Sequence, residues 1–142
     1  MPQVVNGVLY GADEKIARWV SSKIPHGGGI DVEKAVAMGI MAGGKVVAGC
    51  VWHNFRGHDI EAGLAADSPR WCRRATLRQL FTYPFLQLGC VRVTALTGSS
   101  NTRMQRFLEG IGFKPEGCVR QGFVTEDALI FGMLRAECKW ID

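Results

Sequence analysis

Four arginines, Arg70, Arg73, Arg74 and Arg78, crowd into nine positions, while charge elsewhere in the chain is mixed. A basic patch this small suits one polyanionic ligand better than a long phosphate backbone, because guanidinium forks match phosphate oxygens. The competing reading is a solvated basic helix face. Asp59 and Glu61 stand two apart in "DIEAGLAAD", so on a strand they share a face. A carboxylate there either takes up a proton as a general base or partners an Arg or Lys across the strands. Asn101 closes the polar run "TGSSN" and offers both a donor and an acceptor. His53 and His58 flank a turn and are expected at the surface. Cys50, Cys72, Cys90, Cys118 and Cys138 are widely spread and form no CxxC or Cys/His cluster. They are expected to be small buried apolar residues, with neither a disulfide framework nor a metal site.

The elements that position these residues follow from apolar spacing. Ile16, Ala17, Val20 and Ile24 make a helical stripe over Asp13–Ile24, and "IPHGGG" breaks it. In "KAVAMGIMAGGKVVAGCVWHNF", two β-rich runs flank Gly43-Gly44, a pair that tolerates tight hairpin turns. "FRGHD" then leads into "IEAGLAA" as a third antiparallel strand. Ser68-Pro69 reads as the N-cap and first residue of a helix with Leu77, Leu80, Phe81, Phe85 and Leu88 on one face. Pro84 should kink or break it. "CVRVTALT" alternates as a strand. Met104, Phe107, Leu108 and Ile111 form the buried stripe of a further helix, with Arg103, Arg106 and Glu109 facing away. Ser99, Ser100 and Asn101 are N-cap types, and Gly112 stands at the C-cap. "GCVRQGFV" and "ALIFGMLRAECKW" complete the order as a strand pair: α, β-β-β, α, β, α, β-β.

The chain has 142 residues, 47% of them hydrophobic, which predicts one compact domain over residues 1–142. Its apolar runs are too short to span a membrane, and "MPQVVNGVLYG" lacks the pattern of a signal peptide, so a cytoplasmic location is expected. A net charge of +4 does not demand nucleic acid, and basic residues do not interleave with exposed aromatics. Trp52, Phe55 and Trp71 could wall a substrate slot, although such residues are core by default. Monomer and homodimer both remain open.

"NTRMQRFLEGIGFKPEG" resembles the C-terminal half of GNAT superfamily N-acetyltransferases, and is most similar to their RimJ/RimL-like branch. The ordered set is Asn101, Gly112-Phe113, Glu116-Gly117, Arg120, Asp127, Glu137 and Trp140. The chain as a whole also resembles short acetyltransferases encoded in phages and prophages. The resemblance implies an α/β chain of α+β type. It has a single mixed, mainly antiparallel sheet, splayed between its fourth and fifth strands and flanked by helices. Acetyl-CoA would lie in that gap between "DIEAGLAAD" and "CVRVTALT", its pantetheine amides pairing with the backbone at Gly63, Leu64, Ala65 and Ala66. Asn101 would reach the same arm from the head of its helix, simple capping being the alternative.

The family's pyrophosphate motif, Gln/Arg-x-x-Gly-x-Gly/Ala, falls on "RWCRRA". Arg70 matches the first position and Ala75 the last, but Arg73 replaces the central glycine. The cradle is therefore expected to differ in shape or to lean on Arg70, Arg73 and Arg74 for charge. The acceptor implied is a primary amine of a protein or small molecule. A lysine amine, with its pKa near 10.4, carries a handicap of about 3 kcal/mol relative to an α-amine for being neutral. Glu61 is the expected base, acting through water. Many family members carry a tyrosine acid where this chain has Leu108, so Ser99 or Ser100 is the candidate donor to the sulfur. The alternative is a catalytically degenerate module of the same fold that binds CoA or a protein partner.

Overall fold

The computed structural model describes residues 1–142, apart from the side chain of Pro69. Two short strands, β1 (Gln3–Val5) and β2 (Val8–Tyr10), precede the first helix. This hairpin lies outside the expected order of elements, although its turn signal is present. Asn6-Gly7 sits between β-rich residues at φ 49° and 81°, the paired positive values of a two-residue hairpin turn. Helix α1 (Asp13–Ser22) follows, with Ile16, Ala17 and Val20 buried as the spacing requires. Strands β3 (Val36–Ala42) and β4 (Lys45–His53) turn at Gly43-Gly44, and β5 is Asp59–Ala66.

Past β5 the chain departs from expectation. Pro69–Trp71 forms a separate 3-10 turn, and α2 (Arg74–Thr82) begins only after it. Trp71 explains the break: its ring is buried against Phe107 with centroids 5.4 Å apart, which anchors the turn apart from the helix. Beyond Thr82, Pro84 widens the helix into a π turn over Tyr83–Gln87, closed by Leu88 N–H donating to Tyr83 O at 3.0 Å. Strand β6 is Arg92–Gly98 and helix α3 is Thr102–Ile111. Strand β7 (Lys114–Val119) starts earlier than "GCVRQGFV" suggested, because Pro115 is tolerated on an edge strand. Strand β8 (Ala128–Leu134) ends the sheet, and the Trp140 indole donates to Ile111 O at 2.8 Å, closing the end of α3.

All eight strands form one sheet in the order β1-β2-β3-β4-β5-β6-β8-β7. It is antiparallel except where β5 meets β6. That parallel pairing runs from Asp59 opposite Arg92 to Ala62 opposite Ala95 and then stops. Strand β4 stays paired with β5 as far as Ala66, and β8 stays with β6 as far as Gly98. The sheet therefore forks between β5 and β6. These are the strands expected to splay; with both strands of the N-terminal hairpin counted they are the fifth and sixth of this chain.

Two apolar clusters cover the two faces. One joins α2 and α3 to Cys50, Trp52, Ala62, Val93 and Phe131; the other joins α1 to Ala37, Val51 and Ala65. All five cysteines carry free thiols; Cys50, Cys90 and Cys138 are buried, but Cys118 is exposed and Cys72 half-buried, so the expectation holds for three. Among the described residues, no helix is long and apolar enough to cross a membrane.

The paired end of the fork is cross-linked by a polar cluster. Asp59, 5% exposed, accepts from Thr94 Oγ1 at 3.1 Å and from the Arg56 guanidinium, with Arg92 Nε at 3.4 Å. Arg92 also donates to Glu116 at 2.8 Å, which ties in β7.

Replacing Asp59 with Ala leaves Arg92 without its buried partner at this junction. Because both arginines are partly solvated, we expect a loss of about 2 kcal/mol, below the range for fully buried pairs, measured by urea unfolding. Gly49 predicts a second effect. A Cβ there would meet Val20 at 2.6 Å and Ile16 at 3.2 Å, so Gly49→Val should cost about 2 kcal/mol or more by prising α1 off β4. Gly110→Ala in α3, where nothing lies within 4 Å, should instead stabilise by roughly 0.5–1 kcal/mol.

Candidate active site

Where β5 and β6 part, a cleft of about 830 Å³ opens. Its lining comes from both faces of the sheet. Leu64, Ala66, Trp71, Met104 and Phe107 belong to the cluster under α2 and α3, while Ala65 and Ile24 belong to the cluster under α1. The cleft is thus bordered by both faces at the fork. Beyond Ala62 the β6-facing edge of β5 carries no strand pairing, so its backbone groups there are open to an extended ligand. Gly63 does not line the cleft; a Cβ at this position would meet Ile30 Cδ1 at 3.2 Å, so its small size serves close packing.

Asn101 and Ser100 lie on the cleft wall. The Asn101 side chain is a helix cap: its Oδ1 accepts from Met104 N–H at 3.0 Å. Capping uses only the oxygen, and the amide Nδ2 remains as a donor at the cleft. The Ser100 hydroxyl and N–H both donate to Glu126 Oε1 at 2.9 Å. Ser99 is exposed and outside the lining, its carbonyl accepting from Gln105. Position 108, where the resemblance implies a tyrosine, is a leucine 1% exposed in the core.

The expected phosphate site divides. Arg73 is the N-cap of α2 at φ −117° and ψ 155°, an extended backbone open to any residue, so the cost expected for replacing glycine does not arise. No side chain caps α2, and its first turn carries no acidic residue, which leaves backbone N–H groups and the positive helix end free. Arg70, Arg73 and Arg74 are exposed, with Arg74 lying 5.6 Å above the Trp140 ring. None of them borders the cleft, and Ala75 lines a separate hollow of about 570 Å³ beside Tyr10, Asp13, Arg78 and Tyr83. The basic residues on the cleft itself are Arg103, Arg106 and Lys23. Sequence reasoning placed Arg103 and Arg106 away from the buried stripe of α3, which is right, but their outward side borders the fork.

Glu61 stands on β5 one residue before the last paired position, with its side chain 16% exposed. Asn54 Nδ2 donates to its Oε2 at 3.0 Å, and Arg56 Nη1 lies 3.9 Å from Oε1. Asp59, on the same face, is saturated by Arg56, Arg92 and Thr94 and is structural. His53 is not the surface residue that its position beside a turn suggested. It lies directly across from Glu61 in register, 10% exposed, with Nε2 3.7 Å from Glu61 Oε2. Burial lowers its pKa below the usual value, and the Glu61 charge pulls only partly back. His58, its partner in the sequence reading, offers its carbonyl to Val91 N–H. Of the aromatic residues considered as slot walls, Trp71 lines the cleft, Trp52 is core and Phe55 is exposed.

No family model matches this chain, and no curated protein matches it. Solved structures do. A GCN5-related N-acetyltransferase from Brucella melitensis aligns at 20% identity and a TM-score of 0.65, over 96% of this chain and 80% of that one. A GNAT-family acetyltransferase from Bacillus anthracis aligns at 18% and 0.64, over 96% and 100%. A GNAT-family acetyltransferase from Elizabethkingia anophelis, solved with acetyl-CoA bound, aligns at 13% and 0.57, over 72% and 78%. A mixed, mostly antiparallel sheet, forked between β5 and β6 and flanked by helices, gives this chain the fold of the GNAT acetyltransferases.

Proposed function

We propose that this protein is an N-acetyltransferase that moves an acetyl group directly from acetyl-CoA to a primary amine of a protein or small molecule. The observation that carries the reading is the fork, a cleft with an unpaired β5 edge at Leu64–Ala66; the carboxylate Glu61 does not line that cleft but stands on the paired stretch of β5 just before it. Leu64, Ala65, Ala66 and the Asn101 amide would hold the acyl-CoA arm. The uncapped start of α2 at Arg73–Ala75, with Arg70, Arg73 and Arg74, would take its phosphates. The bound donor supplies an activated thioester carbonyl. The chain's own part is to hold the amine in place and relieve it of a proton, which is the role of Glu61 acting through water. Ser100, a hydroxyl on the cleft wall, would donate to the departing sulfur.

Acetyl-CoA at about a hundred times its dissociation constant should add roughly 2.7 kcal/mol to folding stability, read as a rise in Tm. No rise at millimolar acetyl-CoA would favour the non-catalytic interaction module. Arg73→Ala should weaken CoA more than a pantetheine fragment without phosphates; equal losses would make the arginines a solvated face.

Thiol release should be screened with spermidine, a lysine peptide and a peptide with a free α-amine. Glu61→Gln should lower kcat/KM by about 10²–10⁴ with acetyl-CoA affinity nearly unchanged, and the loss should shrink at high pH, where more amine is neutral. Full rate in that variant near neutral pH would make the carboxylate structural.

A further inference from the structure

The His53 ring faces the Glu61 carboxylate. Its Nδ1 is buried and has no hydrogen-bond partner among the described residues, and its Nε2 points at Glu61. An imidazole in such a place carries its proton on the nitrogen that faces the carboxylate, because that N–H then has an acceptor. The 3.7 Å gap is long for a hydrogen bond, so a donated bond requires the two side chains to approach by several tenths of an ångström. We propose that His53 is a pH-gated positioning residue for Glu61. As a neutral ring it donates Nε2–H and fixes the carboxylate's direction; as an imidazolium it captures the carboxylate in an ion pair and removes it as a base. This rests on the acetyl-transfer reading and adds a residue to it.

The surroundings support both halves. Asn54 donates to the same Oε2 atom, so Glu61 is held from two sides, by the β4 end and the loop after it. Arg56 lies farther off, at 3.9 Å from Oε1, and is bound to Asp59. Arg92 is occupied by Asp59 and Glu116. The charge most free to change beside Glu61 is therefore the imidazole. Burial keeps that ring neutral at pH 7, and acid restores its charge. No proton is transferred to His53 in the catalytic step: an N–H bond of the acceptor ammonium breaks, an O–H bond forms through Glu61 and water, and the proton leaves to solvent.

Two measurements test this. In histidine 15N NMR titrations of the wild-type protein, three imidazoles are present, His26, His53 and His58. The His53 resonance should titrate below the usual histidine value with the resting proton on Nε2. Glu61→Gln should move its midpoint lower still, because the carboxylate that favours the charged ring is gone. An unchanged midpoint, or a resting proton on Nδ1, overturns the proposal whether or not acetyl-CoA binds. The second measurement uses the amine that turns over in the screen above. His53→Gln places an amide N–H where Nε2 stood and cannot ionise. It should keep kcat/KM within about threefold at pH 7.5 and, with kcat/KM referred to the neutral amine, abolish the further acid-side fall that tracks the His53 midpoint. His53→Asn and His53→Phe should each lose about tenfold in kcat while the acetyl-CoA-induced Tm shift is retained. Equal losses in the Gln and Asn variants, or a fall at the wild-type His53 midpoint that persists in His53→Gln after correction for amine protonation, overturn the proposal. Absence of any acetyl-CoA effect in the wild type counts against the acetyl-transfer reading alone, and the NMR titration then decides the coupling.

Discussion

Asp59 holds together the strands that the rest of the sheet then separates. It is buried where β5 and β6 are still paired, and it receives Thr94, Arg56 and Arg92 at once. Through Arg92 the cluster reaches Glu116 on β7, so β5, β6 and β7 share one polar junction. A sheet forked at one end needs a strong tie at the other, since unpaired backbone edges otherwise invite slippage or collapse. The pairing that remains between β5 and β6 covers only Asp59–Ala62 and Arg92–Ala95, a short hinge for a long gap. The side-chain junction adds to it what a few backbone hydrogen bonds do not supply, a fixed origin from which the cleft opens.

The same placement divides labour between neighbouring carboxylates. Asp59 and Glu61 share a face, yet one is saturated by arginine and threonine while the other meets an amide, a distant guanidinium and an imidazole. Two residues along one strand thus separate a structural anion from one with accessible oxygen. The difference comes from the neighbouring elements: β6 serves Asp59 through Arg92 and Thr94, and β4 with its following loop serves Glu61 through His53 and Asn54.

Local pattern made much of this architecture legible, and it failed where tertiary partners decide. The Asn101 cap and the Gly43-Gly44 hairpin are short-range features and lie where turn chemistry puts them. The stripes hold in part: Ile24 falls beyond the end of α1 at Ser22, and in α3 Leu108 and Ile111 are buried while Met104 and Phe107 line the cleft. The Asn6-Gly7 hairpin is equally local, but strands of three residues carry too little alternation to stand out in the sequence. The Pro69–Trp71 turn could not be read, since it depends on Trp71 meeting Phe107, a residue far along the chain. In the cleft, the small residues of β5 and the head of α3 were identified, but Arg103 and Arg106 were not, because an exposed helix face gives no sign of what it borders. His53 differs from expectation for the same reason. Proximity to a turn suggests solvent, but its partner in register is Glu61 and its ring is covered.

Packing also explains why the tyrosine position is empty of chemistry. Leu108 is 1% exposed on the buried stripe of α3, beside Ile111 and the core that Phe113 and Phe131 complete. A side chain at this position reaches the cleft only by leaving that core, and a Leu-sized cavity costs about 2–5 kcal/mol. An acid for the departing sulfur is also the easiest group to do without. A thiol ionises near 8.5, so a thiolate released at neutral pH takes a proton from water with little penalty. A lysine ammonium near 10.4 has no such relief and must lose its proton before attack. Under the proposed chemistry the base outweighs the acid, and the polar neighbours this fold supplies are gathered at Glu61 rather than at residue 108.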